Sequence, residues 1–310
     1  MIVKVHDLVK KYGDVIAIDK VDLEINEGEI YGLLGPNGAG KTTFINIVCD
    51  MVKRNSGDLY MFGEKIDKSI QHLKKDIGVV PQTIAIYDDL TASENVAFFA
   101  SLYGIKGDML KERVKEALDF VGLSDHYKTY PKTFSGGMKR RLNIACAIAH
   151  HPRLVIMDEP TVGIDPQSRN HILNSVQKLN QLGSTIIYTS HYMEEVEQIC
   201  TRIGILDHGK VIAEGTKEEL QSIVTDRKTI IIKIGYDQVL DTQLLKEVKG
   251  VMSISENDNI LRLECQKESD CISEIMKVLL KEHIKVIDIQ MESVSLESAF
   301  LSLTGRRLRD

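Results

Sequence analysis

Gly35-Pro36-Asn37-Gly38-Ala39-Gly40-Lys41-Thr42 fits the phosphate-loop pattern G-x-x-x-x-G-K-[ST] at every fixed position. Glycines let a backbone curl round a phosphate without Cβ clashes. Successive N–H groups then converge on an anion as a nest. Lys41 adds a mobile positive charge for the outer phosphates, and Thr42 offers a hydroxyl to Mg²⁺. The flanks agree. Glu29-Ile30-Tyr31-Gly32-Leu33-Leu34 reads as a buried strand running into the loop, and Thr43 to Val52 as the helix that follows. The N-terminus of that helix favours anions. A chance glycine-rich turn would lack this strand and helix, so the loop implies a bound nucleoside triphosphate.

Bulk properties bound what that triphosphate can drive. A chain of 310 residues suits one large domain with a small one, or two domains, and its 43% hydrophobic content is enough for a buried core. No uninterrupted apolar run approaches the ~20 residues of a membrane span. Met1 to Lys11 carries charges at Lys4, Asp7, Lys10 and Lys11 and no apolar signal core, so a cytosolic chain is expected, able to dock on a membrane protein. The net charge of −6 argues against broad binding of nucleic acid, which needs a basic face. Neither part is basic: the net charge is −4 over residues 1–225 and −2 over residues 226–310. The five cysteines, 49, 146, 200, 265 and 271, form no C-x-x-C pair and read as reduced, mostly buried thiols. Cys265 and Cys271 are arguable as a redox pair, but no other ligand-type cluster accompanies them.

Composition shifts along the chain. All six prolines fall at or before Pro166, and only three glycines follow Thr225, so a boundary is expected near residues 222–228. The first part opens with strands over Ile2–Leu8 and Asp14–Ile25 about a turn at Lys11-Tyr12-Gly13. A helical section spans roughly Ser93 to Val121, and strand-like runs recur at Leu154–Met157 and Thr185–Thr189. Alternating strands and helices predict an α/β core with a largely parallel sheet. The tail reads Lys228–Ile234 strand, Asp241–Val248 helix, Met252–Ser255 and Ile260–Glu264 strands about Glu256-Asn257-Asp258-Asn259, Asp270–Lys281 helix and Lys285–Ile289 strand. That order is β-α-β-β-α-β, the ferredoxin-like arrangement, with a last helix at Ser295–Leu303.

Three further clusters narrow the function. Leu154-Val155-Ile156-Met157-Asp158-Glu159-Pro160 reads as a buried parallel strand ending in two carboxylates, where α/β ligand sites lie. Asp158 is placed to hold Mg²⁺, and Glu159, one residue on, to address a water attacking the γ-phosphate. Phe134-Ser135-Gly136-Gly137-Met138-Lys139-Arg140-Arg141 offers Ser135 as a helix N-cap, with Asn143 to Ala149 continuing the helix. Its two glycines let a backbone approach something closely. Thr189-Ser190-His191 ends the strand Thr185–Thr189. A lone strand-end histidine is more often structural, and this one gains meaning from its company.

Together these residues resemble the nucleotide-binding subunit of ABC transporters from Met1 to about Ile223. The matching motifs are Walker A (Gly35–Thr43), the Q-loop Gln82, the signature Ser135-Gly136-Gly137, Walker B with Asp158 and Glu159, the D-loop Gly163-Ile164-Asp165-Pro166 and the switch His191. Tyr12 stands where the family's aromatic stacks on adenine. Met138 replaces the usual glutamine after Ser-Gly-Gly and Val162 precedes the D-loop glycine; the first is similar to drug and antibiotic exporter ATPases. Tyr87-Asp88-Asp89-Leu90-Thr91-Ala92-Ser93-Glu94-Asn95 and the closing Ser295–Gly305 segment are similar to the same subfamily.

The resemblance implies an ABC ATPase core, in which a parallel sheet carries an antiparallel β subdomain and a helical subdomain, over residues 1–223. A small α+β ferredoxin-like domain for assembly or regulation would follow over 226–310. It implies ATP and Mg²⁺ as cofactors, with Thr42, Gln82 and Asp158 at the metal and Glu159, His191 and Gln82 in catalysis. Tyr12, Gly35, Asn37, Gly38, Ala39, Gly40, Lys41, Thr42, Thr43, Ser135, Gly136, Gly137 and Asp165 would surround the nucleotide. It further implies a head-to-tail homodimer, or a pair with a related ATPase, working with integral membrane permease subunits at the cytoplasmic face of the cell membrane, without nucleic acid. Part of the stretch Thr83 to Tyr103 would then form a groove for a helix of the membrane subunit. A soluble ABC ATPase acting on ribosomes or DNA is the alternative. Such proteins usually carry two cassettes or long coiled coils, and this chain has neither. A nucleotide binder without turnover is disfavoured by the intact Glu159 and His191.

Overall fold

The computed structural model describes residues 1–224, 227–235, 242–266, 269–292 and 296–305. They divide into two compact units, Met1–Lys217 and Glu218–Gly305. The expected boundary residues Thr225 and Asp226, the predicted helix start Asp241, Ser295 of the closing segment and the final residues 306–310 lie outside the described residues.

Two long strands, β1 (Val3–Tyr12) and β2 (Val15–Ile25), pair antiparallel and open the first unit. Their turn is tighter than the sequence suggests. Gly13, at φ 58°, closes it in the left-handed region that favours glycine, so β1 runs on through Tyr12. Next come β3 (Ile30–Leu34), the P-loop and α1 (Lys41–Val48). The helix stops short of Val52 because Asp50 turns left-handed at φ 55°. Two hairpin strands, β4 (Ser56–Met61) and β5 (Glu64–Lys65), and the short β6 (Ile77–Val80) were not legible from hydrophobic pattern. The helical middle is two helices, α2 (Ala92–Leu102) and α3 (Gly107–Phe120), parted by the positive-φ residues Gly104 and Gly107. A reciprocal Thr91–Glu94 capping box starts α2.

The unit is completed by α4 (Gly136–Ile148), β7 (Leu154–Asp158), α5 (Pro166–Gln181), β8 (Thr185–Thr189), α6 (Met193–Ile199), β9 (Arg202–Asp207) and β10 (Lys210–Gly215). Helix α7 (Lys217–Val224) follows at the division between the units. The central sheet has the order β10-β9-β3-β8-β7-β6 and is parallel except for the edge strand β10. A second, antiparallel sheet has the order β2-β1-β4-β5. Strands β7 and β8 are buried along their whole length, as apolar runs in a covered parallel sheet require. Leu154, Ile156 and Ile187 join the core shared with the antiparallel sheet and α1. Val155, Met157, Ile186 and Tyr188 join the core shared with the helices.

The second unit contains β11 (Arg227–Ile234), α8 (Thr242–Lys246), β12 (Val251–Asn257), β13 (Ile260–Gln266), α9 (Cys271–Lys281), β14 (Val286–Glu292) and α10 (Leu296–Thr304). Its antiparallel sheet, β12-β13-β11-β14, has the ferredoxin-like strand order. Asp258, at φ 54°, narrows the β12–β13 turn to fewer residues than expected. All five cysteines are free, and burial pushes the Cys49 thiol up to about 12, keeping it protonated and inert.

His150 ties the helices to the sheet. Its ring stacks on Tyr103 with centroids 3.6 Å apart, and Nε2 donates to the Ile77 carbonyl at 3.0 Å. Burial lowers its pKa from 6.5 to about 4, and Nδ1 is buried without a partner to receive a second proton. The unfolded chain binds more protons than the folded one between these values, so stability falls as pH drops from 6.5 to about 4. The expected loss is about 3 kcal/mol. Thermal midpoints measured across this window should fall for the wild type and fall markedly less for His150→Gln; parallel slopes contradict the assignment.

Candidate nucleotide site

Four neighbouring parallel strands deliver the site. In the order β3-β8-β7-β6, their carboxyl ends carry the P-loop, Ser190-His191, Asp158-Glu159 and Pro81-Gln82. Pairing sets Thr189 beside both Leu33 and Asp158, so the loops begin nearly level. Parallel sheets collect ligands at these ends.

Lys41 is only 6% exposed and lies 3.9 Å from Glu159 Oε1. Its ammonium donates to the carbonyls of Gly35 at 2.6 Å and Pro36 at 3.2 Å. Burial holds its pKa below the ordinary lysine range, against the opposing pull of Glu159 and Asp158. Asp158 Oδ2 accepts from the Thr42 hydroxyl at 3.1 Å and Oδ1 from the Thr189 hydroxyl at 2.7 Å. Glu159 Oε2 accepts from Gln82 Nε2 at 2.7 Å, and His191 Nδ1 lies 3.4 Å from Oε1. The Glu159 backbone sits at φ 47°, unusual for a side-chain-bearing residue, and its N–H donates to Thr189 Oγ1 at 2.9 Å. This turn places two buried carboxylates on successive residues without wasting their acceptors.

A cavity of about 230 Å³ is lined by Ala17, Gln82, Glu159 and the loop from Asn37 to Thr43. The residues fit a polyphosphate. Helix α1 has Gly40 at its N-cap, no side-chain cap and no acidic residue in its first turn, so its leading N–H groups remain directed at an anion site. Gly40 is at φ 111°, and a Cβ there would lie 2.5 Å from the Ala17 carbonyl. A larger cavity, about 460 Å³, lies at the ends of α3, α4 and α5 and includes none of the predicted site groups.

The remaining predicted residues stand apart from these walls. Tyr12 is exposed at the end of β1, with Lys10 Nζ 4.8 Å from its ring centroid. Ser135 caps α4, accepting from the Met138 N–H at 3.2 Å. Asp165 caps α5, accepting from the Ser168 N–H at 2.9 Å, and that bond holds its carboxyl below the usual range. The two glycines differ. A Cβ on Gly137 would lie 2.1 Å from Ser168 Oγ and 2.4 Å from Ser168 Cβ, whereas one on Gly136 would meet only Ile164 Cδ1 at 4.0 Å. Gly137 therefore serves the contact with the start of α5, while Gly136 stays open to an outside group.

A family profile described as ABC transporter matches residues 18–162. The chain is 42% identical over 307 residues to the linearmycin resistance ATP-binding protein LnrL of Bacillus subtilis, covering 98% of this chain and 99% of that protein. The chain belongs to the ABC transporter family. It is an ATP-binding, ATP-hydrolysing subunit of that family. It is also 32% identical to the daunorubicin/doxorubicin resistance ATP-binding protein DrrA of Streptomyces peucetius, over 99% of this chain and 94% of the relative. A Nod factor export ATP-binding protein I of Cupriavidus metallidurans is 35% identical, over 100% of this chain and 99% of the relative. Among solved structures, an ATP-binding subunit of an ABC transporter matches with TM-score 0.66 and 27% identity, over 72% of this chain and 93% of that one. A dimeric ATP-binding cassette in a post-hydrolysis state, bound to ADP and Pi, matches with TM-score 0.63 and 30% identity, over 69% of this chain and 98% of that one.

Several residues of this ABC ATPase escaped sequence reading. Thr189 bonds both Asp158 and Glu159, a role visible only once β7 and β8 are set in register. Glu195 is 2% exposed, and its Oε2 accepts from the hydroxyls of Thr161, Tyr188 and Ser190 at 2.8–2.9 Å. Arg169 Nε lies 3.3 Å from its other oxygen. Glu195 thus joins the turn after Glu159 to the turn that carries His191. Arg140 is tied to the carbonyls of Pro81 and Gln82, a role with no local sign in the sequence. The glycine contrast yields a test. Gly137→Ala should destabilise the ATPase unit by about 1–3 kcal/mol through overpacking. Adding Ser168→Gly should restore most of that, while Gly136→Ala should leave the thermal midpoint within a degree or so. Equal effects at the two glycines would refute the distinction.

Proposed function

We propose that the chain is the motor of an exporter, closing head-to-tail with a second copy around two ATP molecules. The observation that carries this is a division of the motifs. Lys41, Thr42, Gln82, Asp158, Glu159 and His191 meet in one network, whereas Ser135-Gly136-Gly137 and Asp165 lie together elsewhere on the same unit, outside the cavity walls. An α-helix N-terminus with an open glycine suits a phosphate brought by another chain. The whole-length likeness to linearmycin and daunorubicin/doxorubicin resistance proteins and to a Nod factor export protein supports export over uptake. The net charge of −6 supports a protein partner over nucleic acid.

In this reading Lys41 and the P-loop N–H groups hold the phosphates, and Tyr12 stacks on the base. Thr42 and Asp158, with Gln82, would hold Mg²⁺; the Thr42 hydroxyl and the Asp158 carboxylate already stand 3.1 Å apart. Bound Mg²⁺ supplies neutralisation of charge on the phosphate oxygens. Glu159 takes the proton of the attacking water or orients it, while His191 steadies that carboxylate and faces the γ-phosphate. Asp165 lies at the interface beside Gly137. In this reading membrane attachment runs through separate permease subunits at the cytoplasmic face. No helix among the described residues is long and apolar enough to cross a membrane. Residues 1–223 form the ATPase, and 226–310 strengthen its dimer.

Glu159→Gln should keep ATP binding within a few-fold and lower turnover by ~10²–10⁴. ATP should then hold this variant as a dimer in light scattering, and a chain ended at Ile223 should need higher concentration to dimerise. Full turnover would remove Glu159 from its role, and unchanged dimerisation of the shortened chain would remove the tail from its own.

A further inference from the structure

Helix α4 grips the loop that carries Gln82. Arg140 Nη1 donates to the Pro81 carbonyl at 2.7 Å, and Nη2 to the Gln82 carbonyl at 2.5 Å. One turn on, Asn143 Oδ1 accepts from the Ala85 N–H at 3.2 Å. Lys139 Nζ reaches Asp88 Oδ1 at 2.8 Å. Arg140 is 3% exposed, and burial lowers its pKa. Its Nε is buried without an acceptor, and no carboxylate pairs with it among the described residues.

A buried, unpaired guanidinium is costly, and a chain selected for packing alone would fill this space with an apolar side chain. What arginine adds is geometry. Its planar fork holds two donors in a fixed relation, and here they fall on two successive carbonyls. That fixes the orientation of the peptide groups on either side of the Gln82 Cα, and so the direction of the side chain that donates to Glu159 at 2.7 Å. A lysine, a point charge on a flexible stem, satisfies one carbonyl and leaves the rotation free.

We propose that Arg140 is a positioning residue for ATP hydrolysis: its double bond to the Pro81 and Gln82 carbonyls aims the Gln82 amide at the catalytic carboxylate. Arg140 lies four residues, about one helical turn, beyond Gly136, so one rigid segment carries both the exposed signature end and the clamp. The proposal rests on the reading of Gln82 and Glu159 as catalytic groups.

The test is a double-mutant cycle in the full-length protein, with kcat and KM for ATP measured separately. Arg140→Lys should lower kcat about tenfold and leave KM within twofold. Gln82→Ala should lower kcat by at least as much. In the Gln82→Ala background, Arg140→Lys should change kcat less than twofold, because the group it positions is gone. Tenfold losses that multiply, or a matching rise in KM, would show a merely structural arginine and overturn the proposal. An unchanged kcat in Gln82→Ala alone would instead overturn the catalytic reading of Gln82, a distinguishable failure. If Arg140→Lys lowers the thermal midpoint too far for kinetics, Asn143→Ala, which releases the same loop at Ala85, takes its place in the cycle with the same outcomes.

Discussion

Two carboxylates on successive residues, at the buried end of a central strand, set the terms for this molecule. Asp158 and Glu159 are 6% and 7% exposed, and each needs partners to remain charged there. The left-handed turn at Glu159 lets the two side chains find separate sets of donors. Asp158 takes the hydroxyls of Thr42 and Thr189, and Glu159 takes Gln82, with Lys41 and His191 close by. Those donors come from the start of α1, which follows the P-loop after β3, and from the ends of β8 and β6, so the strand order of the sheet is what makes the pair tolerable. A different neighbour for β7 would leave one charge buried and unpaired, at a cost of several kcal/mol.

The same constraint explains the polar scaffolding around the site. Thr189 serves both carboxylates, and Glu195 gathers three hydroxyls to hold the turns that follow β7 and precede α6. Arg140 holds the turn after β6. The turns after β6, β7 and β8 are thus each pinned by a buried charged or hydroxyl group from outside them. Loops so held present their catalytic groups with little freedom left to lose when a ligand arrives. The signature helix is the exception in placement: its open Gly136 faces none of these groups.

Much of this was legible in the chain itself, for a physical reason. The P-loop and the Asp158-Glu159 strand end are local patterns, in which residue types and backbone setting coincide within a few residues, whereas His191 was legible only in their company. The ferredoxin-like tail was readable because its strand and helix segments are separated in the order β-α-β-β-α-β and its central turn carries Asp258 and Asn259. Strands β4, β5 and β6 were not, being short and set between loops rather than marked by a long apolar run. Arg140 was illegible for a deeper reason. Its acceptors are backbone carbonyls 58 and 59 residues away, and a carbonyl leaves no trace in residue type. The helix break near Gly104 was written in its glycines but masked by helical spacing on both sides.

In the proposed function, one chain builds only part of each ATP site. Mixing two inactive variants tests this most directly. Lys41→Ala spoils the P-loop side of a site, and Gly136→Asp places a charge on the open signature side, where the fold has room for it. In a mixed pair one site combines both defects and the other is intact. Equal amounts should therefore recover about a quarter of the wild-type ATPase rate, because half of random pairs are mixed and each holds one intact site of two. A mixture no more active than its separate components would contradict a site shared between two copies.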